Sequence, residues 1–261
     1  MYKRTFDSGR AVTMLCASLV LSACGGGGSG SSSSSGGDTS TLKAGLYEAK
    51  IEYVDGKPTQ NATAFLSPTG KFAVVYGGDA GVSIGKFSFE GTRISGTSND
   101  YRQVGPEGFI ENKGTEEGTI NGTIRSQTSA TFSTSDSAGE VNTNVTLQRQ
   151  NSLSDLGISL KRASGIYVKG DSEVALTVGE DGTVDSHYYT DTTKCQLLGI
   201  ETLSVHDTSI NVFDISYTMT LCTNEDRRGE YSGIGFVGPA GEQMVFASHN
   251  GRVAMKFQGT E

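Results

Sequence analysis

The sequence of 261 residues contains 21 basic and 29 acidic residues and has a formal net charge of −8 at pH 7. Proteins that bind nucleic acids neutralise phosphates with clustered Lys and Arg side chains. The densest basic clusters here are two pairs, Lys161 with Arg162 and Arg227 with Arg228. The composition therefore excludes nucleic acid as the expected partner. The length suffices for one large core or for two cores of about a hundred residues each.

The N-terminus has the organisation of an export signal. Three basic residues, Lys3, Arg4 and Arg10, precede an apolar run at residues 11–21 that is too short to span a membrane. Residues 21–24 read Leu-Ser-Ala-Cys, which resembles the lipobox of bacterial lipoprotein signals. This resemblance implies a signal peptide at residues 1–23 and acyl chains such as palmitate on Cys24, which would attach the protein to a membrane. The alternative is a plain secretory signal with an incidental Cys.

The segment that follows Cys24 has the composition of a flexible linker. Residues 25–41 are almost entirely Gly, Ser and Thr, with Asp38 as the single charge, so they cannot bury enough apolar surface to fold. We predict a tether at residues 24–41 with a root-mean-square span of about 23 Å. Position 25 is Gly and not the Asp that marks inner-membrane retention in proteobacterial lipoproteins. The resemblance therefore implies the outer membrane, and both a periplasmic and a surface orientation remain open.

Two cysteines, Cys195 and Cys222, remain after the signal peptide and the lipidated Cys24 are set aside. Two thiols in an exported chain usually pair, and the loop between them predicts a stabilisation of about 3.5 kcal/mol. A metal or redox site would need closely spaced Cys or convergent His residues, and neither pattern is present. We predict a disulfide between Cys195 and Cys222, and neither a metal nor a cofactor.

The rest of the chain is predicted to be all-β. Short alternating runs are separated by four hairpin signals, Asp55-Gly56, Thr69-Gly70, Asp181-Gly182 and Asn250-Gly251. The clearest strand covers residues 211–221, where five apolar side chains from Phe213 to Leu221 share one face. Residues 194–203 are predicted to pair with it, which would bring the two cysteines to one end of a hairpin.

One short helix is predicted at residues 152–162, where three Leu residues fall on one face and Gly157 is the unfavourable position. It separates an N-terminal β unit, residues 42–150, from a C-terminal β unit within residues 151–261. Similar landmarks occur in the same order in both units: Gly45-Leu46-Tyr47 and Gly165-Ile166-Tyr167, Gly70 and Gly182, Gly118-x-Ile120-x-Gly122 and Gly229-x-Tyr231-x-Gly233. This order indicates an internal repeat, with chance matches between Gly-rich sequences as the alternative. The predicted fold is two related antiparallel β units, each a barrel or a sandwich.

Motifs that suggest enzymatic chemistry lie in the wrong structural context. Gly81-x-Ser83-x-Gly85 matches a nucleophile elbow, but the following residues alternate as in a strand, so Ser83 is predicted to be a turn residue. A dinucleotide fingerprint at residues 233–238 is followed by Pro239 and no helix. The three histidines are predicted to lie on the surface. No catalytic residue is predicted.

The segment at residues 235–240, which reads Gly-Phe-Val-Gly-Pro-Ala and is followed by Glu242 and Phe246, is similar to transferrin-binding protein B-type surface lipoproteins. In that family a Gly-Pro turn and a Glu precede a barrel strand. These proteins, like the factor H-binding lipoproteins, combine a lipidated Cys and a tether with small antiparallel barrels that bind host proteins. The similarity covers about a dozen residues and implies architecture only.

These observations favour an outer-membrane or surface-anchored lipoprotein that acts as a non-enzymatic binding module for a protein or other envelope macromolecule. Phe109 and Ile110 are the candidate contact residues, because they are apolar residues in a long acidic loop at residues 102–114. One alternative is a periplasm-facing structural or assembly accessory, and another is a hydrolase with an unrecognised site.

Overall fold

The structure is a computed structural model, and it confirms the predicted all-β class. It describes residues 41–77, 81–102, 109–111, 117–170, 175–186, 195–197 and 201–261. All of these residues belong to one compact unit, residues 37–261. The lipobox, Cys24 and the predicted tether lie outside the described residues.

In the described part of the chain, nine strands precede the first helix. They are β1 (Gly45–Tyr53), β2 (Gln60–Leu66), β3 (Lys71–Tyr76), β4 (Val82–Glu90), β5 (Arg93–Tyr101), β6 (Phe109–Glu111), β7 (Glu117–Ser126), β8 (Ser129–Ser135) and β9 (Val141–Arg149). All except β6 form a closed antiparallel barrel in chain order, because β9 pairs with β1.

Nine more strands follow two short helices, α1 (Asn151–Ser154) and α2 (Leu160–Ala163). They are β10 (Gly165–Val168), β11 (Ala175–Val178), β12 (Thr183–Ser186), β13 (Gln196–Leu197), β14 (Glu201–Ser204), β15 (Phe213–Thr220), β16 (Gly229–Val237), β17 (Gln243–His249) and β18 (Val253–Thr260). A single 3-10 turn, Glu225–Arg227, precedes β16. Eight of these strands form a second antiparallel barrel, closed by one pair between Val168 in β10 and Thr260 in β18, while β13 pairs only with β15.

The landmarks of the predicted repeat occupy equivalent strands. Gly45 and Gly165 begin the first strand of their barrels, Gly70 and Gly182 lie in the turn between the second and third, and residues 118–122 and 229–233 lie in the sixth. The four predicted hairpin turns are also confirmed, because Gly56, Gly70, Gly182 and Gly251 all have φ between 79° and 86°. The two β units are therefore related strand by strand.

A Gly-x-Tyr motif starts three of these strands and makes the same contact each time. Tyr47, Tyr167 and Tyr231 are fully buried, and each hydroxyl group donates to the carbonyl oxygen four residues earlier, in Lys43, Ala163 and Arg227 respectively. The preceding Gly residues have φ between 126° and 155°, a backbone conformation that other residues rarely adopt. The motif fixes how the chain enters a barrel strand.

The predicted strand at residues 211–221 is confirmed over most of its length. Phe213, Ile215, Tyr217 and Met219 are buried on one face of β15, and both β13 and β14 pair with this strand as predicted. Leu221 was predicted to share the buried face, and this is wrong. Its φ of 54° turns the chain out of the strand, and its side chain is 61% exposed.

The predicted helix at residues 152–162 is in fact two single turns. Gly157, between α1 and α2, has a φ of 66°, which no right-handed helix contains. The backbone N–H of Ile158 donates to the carbonyl oxygen of Thr208 at 3.0 Å, so this stretch binds to the second barrel instead of continuing the helix. Ser159 then caps α2 by accepting from the Arg162 N–H.

Three hydrophobic cores hold the described chain together. One lines the interior of the first barrel and another fills the interior of the second. A third lies between the barrels, where Val75 and Ile84 from the outside of the first barrel are clustered with Ile234 and Val245 from the second. The rings of Phe65 and Phe236 meet within this cluster at a centroid distance of 5.3 Å. The two barrels thus pack side against side through an apolar contact.

Strand β6 leaves the first barrel and joins the sheet of the second. Its residues pair with Val253, Ala254 and Met255 of β18. Phe109 and Ile110, predicted to lie in a loop, therefore have their backbone in a strand. Their predicted role in binding a partner stays a prediction.

Candidate functional site

The first barrel contains a cavity of about 990 Å³ at one end of its lumen. Its rim is formed by the β1–β2, β3–β4 and β8–β9 hairpins and by the ends of β5 and β7, represented by Val54, Gly81, Asp136, Arg102 and Gly118. An eight-stranded barrel is just wide enough either to be filled by its own side chains or to hold one small ligand. A volume of about 990 Å³ leaves room for a small ligand in this lumen.

Small side chains occupy inward-facing positions of the first barrel that are large in the second barrel. Strand pairing aligns Gly96 with Ile120 and Ser98 with Gly118 in the first barrel. In the second barrel, the equivalent pairs are Tyr217 with Tyr231 and Met219 with Gly229. Gly96, Ser98 and Ile120 of the first barrel therefore correspond to Tyr217, Met219 and Tyr231 of the second.

The floor of the cavity is apolar. It is lined by buried side chains that belong to the core of the first barrel, namely Ile51, Phe72, Val74, Ile120, Phe132 and Val145. Phe72 is fixed in place by stacking on Phe87, with ring centroids 4.1 Å apart. An apolar floor with a few polar groups above it is the usual composition of a small-molecule site.

Polar side chains line the wall above this floor. The hydroxyl groups of Tyr76 and Ser83 lie 2.7 Å apart, and Tyr53 donates to Gln60 Oε1 at 2.8 Å. Ser83 was predicted to be a turn residue, and this is wrong. It lies within β4, where strand alternation turns it toward the lumen beside Phe87 and away from the outward-facing Ile84.

Asp100 is the acidic residue of this wall. Its side chain is accessible to water from the cavity, but protein surrounds it closely enough that burial raises the pKa of its carboxyl group. Hydrogen bonding by Ser83 and the positive charge of Arg102 oppose the increase. None of the described Lys, Arg or His side chains forms a salt bridge with Asp100.

The opposite end of the first barrel is closed by Arg149. This side chain is 1% exposed and donates to the carbonyl oxygen of Ala44, to Asn151 and to Asp155. The hydrogen bond from Arg149, supported by Lys43, holds the pKa of Asp155 at about 2. Leu42 packs into the same core, so the chain enters the barrel at this closed end.

Two described histidines lie near the contact between the barrels and have partners there. His249 is half-buried, with Nδ1 2.7 Å from the Tyr101 hydroxyl group, and burial lowers its pKa. His206 Nε2 lies 3.2 Å from Asp214 Oδ2, which also lies 3.3 Å from Lys71 Nζ. The surface position predicted for His206 is confirmed, whereas His249 is partly covered by Tyr101. His187 lies outside the described residues.

None of the remaining predicted site residues that the structure describes lines the cavity. Cys195 and Cys222 form the predicted disulfide, at the end of the β13–β15 pairing and far in sequence from the cavity. Phe109 and Ile110 lie in β6, and Cys24 is outside the described residues. In the turn at Gly238–Gly241, Glu242 accepts from the Ala240 N–H directly before β17.

Sequence reasoning missed the cavity. Its signal was present in the repeat itself, because Ile120 and Tyr231 occupy matching positions in the Gly-x-x-x-Gly landmarks. The difference in size between these two side chains marks the difference between a hollow and a filled lumen. The equivalence of Ser98 and Met219 could not be read in the same way, because it requires the pairing register.

Within the described ranges, no group of three or more His, Cys, Asp or Glu side chains is arranged to hold a metal ion. No helix in that part of the chain is sufficiently long and apolar to cross a membrane. Comparison with protein-family models, with curated proteins and with solved structures found no match to this chain.

Proposed function

We propose that the protein is a membrane-anchored, non-enzymatic binding module whose binding site is the open end of the first barrel. Its partner is a protein or another macromolecule of the envelope or cell surface. The observation that supports this proposal is the open cavity of about 990 Å³ beside a second barrel of the same topology that is filled with side chains. A purely structural barrel gains stability from filling its lumen, whereas a binding site requires open volume.

The rim of the cavity carries exposed apolar side chains. Val54 is 57% exposed and Val141 is 43% exposed, and both line the cavity. Their hairpins are joined by a hydrogen bond from the Val54 N–H to the Asn142 carbonyl oxygen at 3.1 Å. Exposed apolar residues around an opening are suited to contact a partner surface.

The position of the chain entry agrees with a lipid anchor on Cys24. The Lys43 N–H donates to the carbonyl oxygen of Gln127, in the turn between β7 and β8, at the closed end of the first barrel. A tether that begins at this end leaves the mouth on the opposite side.

The composition of the site favours binding over catalysis. Of the described residues that line the cavity, none is a His or a Cys. The Ser83 hydroxyl group is occupied by Tyr76, and a serine nucleophile would need a general base in that position. The side chains present can fix a ligand by burial and hydrogen bonding.

The proposal is tested by photocrosslinking in intact cells. A benzoylphenylalanine residue at Val54 or Val141 should capture the partner, and the same residue at Ile166, which is 56% exposed on the second barrel, should not. A Cys24→Ser variant serves as the control for anchoring and should leave the membrane fraction. Capture from Ile166 alone, or equal capture from all three positions, would place the binding surface elsewhere.

A further inference from the structure

The charged residues at the mouth differ in how their charges are compensated. At the rim, Lys57 Nζ lies 2.6 Å from Asp55 Oδ2. Asp136 accepts from the N–H groups of Ala138 and Glu140, within its own turn. Asp100, below them on the wall, forms no salt bridge with any described side chain, and Arg102 acts on it only through its charge. The lumen therefore presents one carboxylate that a bound positive charge can neutralise.

The surroundings of Asp100 also favour an organic cation over a hydrated metal ion. Tyr53 and Tyr76 line the same wall, and their ring faces attract ammonium groups through the ring quadrupole. The Lys57 ammonium group already lies 5.8 Å from the centre of the Tyr53 ring, which shows that a cation can be accommodated at this aromatic side chain. The apolar floor beneath would cover the carbon skeleton of such a ligand.

We propose that the cavity of the first barrel binds a small organic cation with an apolar body, whose ammonium group pairs with Asp100 between Tyr53 and Tyr76. This inference goes beyond the proposed function, because it gives the lumen a small-molecule ligand in addition to the macromolecular partner at the rim. The volume lies at the upper end of the range of about 300–1,000 Å³ that is common for ligand pockets, so the ligand can be larger than a single amino acid.

The electrostatics of Asp100 support the pairing. Burial raises the pKa of this carboxyl group, with Ser83 and Arg102 opposing. The pKa values of Tyr76 and Tyr101 are raised mainly by burial and to a smaller degree by the negative charge of Asp100. A negative charge that is partly desolvated in the empty cavity gains more from a bound cation than a fully hydrated one does. The site is thus built to favour a ligand of the opposite charge.

The test uses residues 37–261, which contain every residue of the three hydrophobic cores and both Cys of the disulfide. Octylammonium, octan-1-ol and octanoate are titrated calorimetrically at pH 7, so that length is constant and only the head group changes. Octylammonium should bind at least tenfold more tightly than either of the other two. Equal affinity for the three probes, or no binding of octylammonium, would overturn the inference.

Two variants and one matched control locate the binding. Asp100→Asn should weaken octylammonium binding at least tenfold and leave octan-1-ol unaffected, while Asp55→Asn, the same charge change at the rim, should alter it less than threefold. Ser98→Met, which places in the lumen the residue found at the equivalent position of the second barrel, should abolish binding of octylammonium without changing the charge. Unchanged binding in Asp100→Asn or in Ser98→Met would overturn the proposal. Photocrosslinking of a partner in cells does not depend on these results, so the two proposals can fail separately.

Discussion

The two barrels share a topology and differ in what fills them. In the second barrel, the rings of Tyr217 and Tyr231 stack at a centroid distance of 5.0 Å, and Phe246 and Phe257 stack at the same distance. In the first barrel, the positions of Tyr217 and Tyr231 are taken by Gly96 and Ile120. The hydrogen bonds between strands are made by the backbone, so they form whether the lumen is filled with large side chains or not. A barrel framework can therefore exchange core packing for a ligand site by changing a few inward-facing side chains.

The comparison also separates the sources of stability. The second barrel is closed by a single pair between Val168 and Thr260 and gains support from the Cys195–Cys222 disulfide and a filled lumen. The first barrel is closed by seven residue pairs between β1 and β9, and its described strands contain no Cys. We infer that the backbone pairing between β1 and β9 stabilises the hollow first barrel. Side-chain packing and the disulfide stabilise the filled second barrel.

The largest expected loss of stability comes from removing an aromatic ring from the filled lumen of the second barrel. Tyr231→Ala removes a ring that is 1% exposed and stacked on Tyr217, so it should lower the free energy of unfolding by about 3–5 kcal/mol. Ile120→Ala at the equivalent position should lower it by about 2 kcal/mol, the low end for such truncations, because Ile120 already borders open volume. Urea unfolding of both variants measures the difference.

Tyr231→Phe provides the control for this measurement. It keeps the ring and removes the hydrogen bond to the Arg227 carbonyl oxygen, so it should lower the free energy of unfolding by about 1 kcal/mol. Equal losses in Tyr231→Ala and Ile120→Ala would contradict the view that one lumen is filled and the other is hollow.

A reciprocal exchange at one pair of equivalent positions should have unequal effects in the two barrels. Met219 is 1% exposed, so Met219→Ser leaves a void and a hydroxyl group in the second core and should lower the free energy of unfolding by about 2–4 kcal/mol. Ser98→Met adds an apolar side chain next to open volume and should change it by less than about 1 kcal/mol. Thermal and urea unfolding compare the two.

The informative result is the asymmetry of this exchange. If Ser98→Met destabilises the protein as strongly as Met219→Ser does, the space beside Ser98 is too small to accept a side chain. The cavity would then lose its claim to be a ligand site of the first barrel.

The features that sequence predicts well are local or statistical. Hairpin turns were predicted because Gly accepts positive φ, and the buried face of β15 was predicted because alternation has a period of two. The disulfide was predicted because only two thiols remain in the expected mature chain. The repeat was visible because its landmarks kept their order along the chain.

The features that sequence missed depend on which strands meet. Ser98, Gly118 and Ile120 line the cavity, and the pairing of Ser98 with Gly118 and of Gly96 with Ile120 is not visible without the register. The pairing of β6 with β18 joins residues that are far apart in the chain. The two turns α1 and α2 were predicted as one helix, because the Leu periodicity spans both. The sequence does not show that Gly157 between them has a positive φ.

The smallest expected effect concerns the closed ends of the two barrels. Arg149 closes the first barrel with an ion pair to Asp155, whereas Arg162 in the second donates to neutral acceptors, the carbonyl oxygens of Gly157, Gly238 and Pro239. Because the folded pKa of Asp155 is held at about 2 by Arg149 and Lys43, its contribution to stability is complete above about pH 4 and is lost as the pH falls through about 2. The side chain is 46% exposed, so solvent screening limits this contribution to about 1 kcal/mol.

Asp155→Asn should therefore lower the free energy of unfolding by about 1 kcal/mol at pH 7 and by clearly less at pH 2, where the Asp155 carboxyl group is half protonated, as measured by urea unfolding across this range. Lys43→Gln is the matched control, because it removes the second, exposed partner of Asp155 at 3.1 Å and leaves Arg149 in place, and it should have less than half the effect. The reason for the difference is burial. Arg149 is 1% exposed and loses its only carboxylate partner among the described residues, whereas Lys43 and its partner are both 46% exposed. An equal loss at pH 2 and pH 7 would show that Asp155 acts through packing, and the closed end of the first barrel would then be no more sensitive to acid than that of the second.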